Sequence, residues 1–94
     1  MNSLDTSKER LILPQSERAE IIKKILKWMN VQDRGVTVQA FQYYVKWEIT
    51  EGGASDKSIK KYLEDLHQAG LIENKHPFWK ISQLGKEWLE RHSL

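Results

Sequence analysis

The sequence predicts a small, mainly helical α+β domain, and three observations predict it. Residues 17–29 and 55–69 each carry apolar side chains at helical spacing behind a capping residue. Residues 71–81 hold two short apolar runs around a turn signal. Gly70 stops the helix before that hairpin, and Ser82 opens another after it. The expected order is helix, short strand, helix, helix, strand, strand, helix.

The 94 residues fit one domain. We expect a flexible tail over residues 1–13 and a single domain over 14–94. Disordered chains are poor in aromatics, and this one has four Trp, three Tyr and two Phe. Large rings help a domain of this size, whose core is marginal. There is no Cys, which excludes disulfides, a zinc finger and a thiol nucleophile. The longest apolar run is three residues, too short for a membrane span. The first ten residues lack the apolar centre of a signal peptide. The chain is therefore expected to be cytoplasmic and full-length. A net charge of +2 permits a nucleic-acid partner without requiring one.

The tail is polar apart from Leu4. Leu11, Ile12 and Leu13 then form an edge strand, a lid on the core or a dimer contact. The first helix is expected from about Pro14 or Ser16, with Ser16 as cap. Glu17 and Glu20 suit the positive end of its dipole. Ile21, Ile22, Ile25, Leu26 and Met29 form one wide apolar face, with Lys23, Lys24 and Lys27 opposite. This helix should be the centre of the core.

A turn-rich connection follows over residues 30–35. Val36, Thr37 and Val38 either pair briefly as a strand, or Thr37 caps the second helix. That helix runs roughly over residues 38–49. Phe41, Tyr44, Val45 and Ile49 share its inner face, and Trp28 and Trp47 are expected in the core. Gly52 and Gly53 end it. The third helix is the clearest. Ser55 caps it, Asp56 suits its first turn, and Ile59, Tyr62, Leu63 and Leu66 are its buried stripe. Leu71, Ile72 and Glu73 form a strand. Asn74, Lys75, His76 and Pro77 form the turn. Phe78, Trp79, Lys80 and Ile81 return, with Phe78 outward and Trp79 towards the core. The last helix carries Leu84, Trp88 and Leu89. Gly85 in its first turn allows a close backbone approach.

The run SIKKYLEDLHQAGLI followed by FWKISQLGKEWL resembles winged helix-turn-helix regulators of the archaeal and bacterial transcription-regulator type. The matching pattern is Leu63, Leu66, Gly70, Leu71 and Ile72, then Ile81, Ser82 and Gly85. The resemblance spans residues 36–92 and departs from the family in its short wing and double glycine. It implies a winged-helix fold that binds double-stranded DNA, with the third helix in the major groove and the second crossing the backbone. It also implies a homodimer through the terminal helix.

On that reading the outer face of the third helix carries Lys57, Lys61, Glu64 and Gln68, flanked by Lys60 and Asp65. The lysines neutralise phosphates or donate to guanine edges. Ser55 and Ser58 donate to a phosphate near the helix start. Lys57 sits where the helix dipole disfavours a cation by about 0.3–1 kcal/mol. That points to a job outside the fold. The opposing reading takes Lys60–Glu64 and Lys61–Asp65 as ordinary pairs on a solvated face. Lys75, His76 and Lys80 would supply the wing's contacts, and Tyr43 and Lys46 those of the second helix. The alternative function is a protein–protein interaction module, or a dimeric adaptor, on the same fold. One exposed patch of Phe78, Trp79 and Trp88 would mark it.

Catalysis has no support. His67, His76 and His92 lack metal-site spacing. No nucleophile elbow or phosphate-cradling loop is present. Neither a metal nor a cofactor is expected.

Overall fold

Helix α1 (Glu17–Asn30) places Glu17 and Glu20 in its first turn and Lys27 in its last, each suiting the dipole. The structure, a computed structural model, describes residues 17–92. The expected tail, the apolar run at residues 11–13 and the Ser16 cap lie outside the described residues. Ile25, Leu26 and Met29 are buried, and Ile21, Ile22 and Trp28 pack beside them. The helix packs against the last helix, the returning strand of the hairpin and the end of the second helix, as its wide apolar face implies.

The connection after α1 resolves the choice at residues 36–38 in favour of both options. Val36 and Trp79 exchange main-chain hydrogen bonds of 2.8 and 2.7 Å in a single antiparallel bridge. One residue on, the Thr37 hydroxyl accepts the Ala40 N–H at 3.1 Å and caps α2 (Val38–Tyr43). The helix then widens into a π-helical stretch (Tyr44–Ile49). Thr50 closes that stretch. Its N–H donates to the Val45 carbonyl at 3.0 Å, and its hydroxyl donates to Val45 and Lys46 carbonyls. The chain turns out of the helix at Glu51 and Gly52, both with positive φ.

Helix α3 (Asp56–Gln68) is capped by Ser55, whose hydroxyl accepts the Ser58 N–H at 3.1 Å. Ile59, Tyr62, Leu63 and Leu66 are buried as one stripe. At its end Gly70 takes φ 78°, the left-handed conformation that suits glycine. Its N–H reaches the His67 carbonyl and the Leu71 N–H reaches the Leu66 carbonyl, both at 3.0 Å. These two bonds form a Schellman motif.

Strands β1 (Ile72–Lys75) and β2 (Phe78–Ile81) pair antiparallel, Ile72 with Ile81 and Lys75 with Phe78. This corrects the expected turn. Asn74 and Lys75 belong to the strand, and His76 and Pro77 alone make the bend. Turn-forming residue types were outvoted by pairing across the ladder. Trp79 packs on the core and Phe78 faces outward, as expected. The His67 ring meets Trp79 edge-on at 5.1 Å and fastens the hairpin to α3.

Helix α4 (Gln83–His92) starts at buried Ser82. The Ser82 hydroxyl accepts the Gly85 N–H at 3.0 Å and donates to the Gly70 carbonyl at 2.5 Å. Its N–H donates to Leu71 at 3.0 Å. Trp88 is half-buried and stacks on His92 at 4.3 Å.

The described residues form a mainly helical α+β fold of four helices and a two-stranded hairpin. Trp28 joins the core, half-buried, and stacks on Tyr44 with ring centroids 4.1 Å apart and planes 4° from parallel. Trp47 does not: it is 54% exposed. It lies off the face of Phe41 and Val45, which fill the core without it. A double-mutant cycle on Trp28→Ala and Tyr44→Ala is expected to show a coupling of about 0.5–1.5 kcal/mol in urea unfolding. Strict additivity would show that the stack adds nothing beyond burial.

Candidate nucleic-acid interface

The buried stripe of α3 fixes which side of the helix meets water. Lys57, Lys60, Lys61, Glu64 and Gln68 are all exposed, as are Ser55 and Ser58. No other element of the described residues covers this face. The seven lie on one helix held from behind by Ile59, Leu63 and Leu66, so the frame beneath them is rigid.

Charge pairing sharpens the face. Asp65 turns inward, where Arg18 of α1 and Lys61 both bond its carboxylate, Lys61 at 3.2 Å. Arg18 also lies over the Tyr62 ring, 4.7 Å from its centre. Burial pushes the Tyr62 phenol above its ordinary range; the Arg18 charge opposes the shift and Glu17 adds to it. Asp56 is bonded by Lys46 at 3.4 Å. Two of the three acids on α3 are thus engaged by cations, and Glu64 is the exposed one left on the outer face. The expected Lys60–Glu64 pair does not form, and among the described residues Lys57 and Lys60 make no ion pair. Lysine ammoniums without partners keep their full charge for an incoming anion.

The other candidates lie apart from this face. Lys75, His76 and Lys80 belong to the hairpin. Lys75 pairs loosely with Glu73 at 3.7 Å, His76 is exposed at the bend, and half-buried Lys80 lies against Gly35. Tyr43 is 57% exposed on α2. Lys46 is taken up by Asp56, and its ammonium stands 5.6 Å from the Trp47 ring centre. Sequence reasoning missed Arg18, because its partner lies 47 residues away and no local pattern announces it. It also missed Trp47 as a surface residue. Of Phe78, Trp79 and Trp88, only Phe78 is exposed, so the three do not make one apolar patch.

Among the described residues no group of His, Asp or Glu is arranged to hold a metal ion, and no helix is long and apolar enough to cross a membrane. No protein-family model, curated protein or solved structure matches the chain.

Proposed function

We propose that the protein is a winged-helix module that binds double-stranded DNA and acts as a transcriptional regulator, with α3 in the major groove. One observation carries this reading. The outer face of α3 presents Lys57, Lys60 and Lys61 to solvent, while Lys46 pairs with Asp56 at the surface and Arg18 with Asp65. The lysines bind phosphates, Gln68 reads a base edge, and Ser55 and Ser58 donate to the backbone near the helix start. The hairpin is the wing. Its tip brings Lys75 and His76 to the phosphates, and its two-residue bend keeps that contact short.

A salt titration of binding to random duplex tests the reading. The logarithm of the association constant is expected to fall linearly with the logarithm of salt, by about 0.9 per phosphate contacted. Three to five contacts give a slope of about −3 to −4.5. A flat line, or no binding at low salt, removes the reading. A homodimer through α4 is a further expectation of the same resemblance. Sedimentation over a concentration range checks it, and a strict monomer removes it.

A further inference from the structure

Helix α2 and its π-helical continuation have two aromatic sides. One, with Phe41 and Val45, lies in the core. The other carries Tyr43 and Trp47, each more than half exposed and four residues apart, so that they follow one another along the outside of the helix. Trp47 rests on the main chain at Gly52, where a Cβ would stand 3.3 Å from the ring. Lys46 flanks the Trp47 ring, 5.6 Å from its centre, and reaches Asp56, the first residue of α3. Lys46 therefore links the Trp47 ring to the first residue of the helix that carries the cationic face.

We infer that Tyr43 and Trp47 form a stacking platform for unpaired nucleobases, and that the ligand is a junction between duplex and single strand. The inference rests on the reading above and deepens it. Bases inside an intact duplex already have both faces stacked, so an exposed ring finds no partner there. An unpaired base offers a free π-face, and every base has one. Lys46 stays on Asp56 and keeps that carboxylate paired beside the platform. A protein partner fits less well, because the middle of a protein interface is depleted of lysine, and here Lys46 stands beside the ring.

The test compares three fluorescently labelled probes at one salt concentration: a blunt duplex, the same duplex with a six-base overhang, and the overhang strand alone. The overhang duplex is expected to bind about tenfold tighter than the blunt one and to quench tryptophan emission. Trp47→Phe keeps a ring, so it should retain the affinity gain while removing most of the quench. Trp47→Ala should lose the gain and bind blunt duplex as before. Equal binding of blunt and overhang duplexes would overturn the platform and leave duplex binding standing. No binding of any probe would overturn both. Self-association that disappears in Trp47→Ala, with nucleic-acid affinity unchanged, would overturn the platform in favour of a second copy of the chain.

Discussion

Gly85→Ala is expected to destabilise the protein by about 3 kcal/mol and to lower its melting temperature by about 15 °C. A Cβ at this position would fall on the Leu71 carbonyl and stand 2.7 Å from the Ile81 Cγ1. The neighbour is main chain, so no rotamer change relieves the overlap. Nor can the Leu71 peptide back away freely. Its carbonyl accepts the Ser82 N–H, and its own N–H completes the Schellman motif on α3. One added methyl group therefore strains the end of α3, the base of the hairpin and the first turn of α4 together. Gln83→Ala, two residues away and exposed, should stay within about 0.5 kcal/mol. Thermal and urea unfolding followed by circular dichroism checks both. An alanine variant as stable as the parent would show that α4 can shift without cost.

Joint replacement of Lys57, Lys60 and Lys61 by Gln is expected to reduce the salt slope of duplex binding by about 2.7 and to weaken binding about 500-fold at 0.1 M salt. Each lysine that neutralises one phosphate contributes about 0.9 to the slope, and a tenfold dilution from 1 M salt turns that into affinity. All three side chains are exposed, so the fold should tolerate the change. Asp65 keeps Arg18 when Lys61 is lost. A variant with the parent's slope and parent's stability would move the interface off α3.

Much of the fold was legible because its signals are local. Ser55 caps α3, Gly70 ends it and Ser82 starts α4, each through bonds to residues within four positions. The stripe of Ile59, Tyr62, Leu63 and Leu66 needs only the helical period. The misses have equally definite causes. Trp47 is expected inward as a large ring, although the helical period already sets it partly off the face of Phe41, Tyr44 and Val45, and it is 54% exposed. The hairpin bend was drawn too wide because Asn and Lys favour turns only where no partner strand claims their main chain. At the candidate site the exposed lysines followed from the stripe behind them. Which acids were neutralised did not follow, since the Arg18–Asp65 pair joins distant helices.

The joint between α3 and the hairpin is made of main chain, one buried serine and the His67–Trp79 contact, with Gly70, Leu71, Ser82 and Gly85 as its other parts. The residues at the tip take no part in it. Evolution, or an engineer, can therefore rewrite positions 74–78 to suit a new ligand while the angle of the hairpin to α3 stays the same, as a handle accepts different blades.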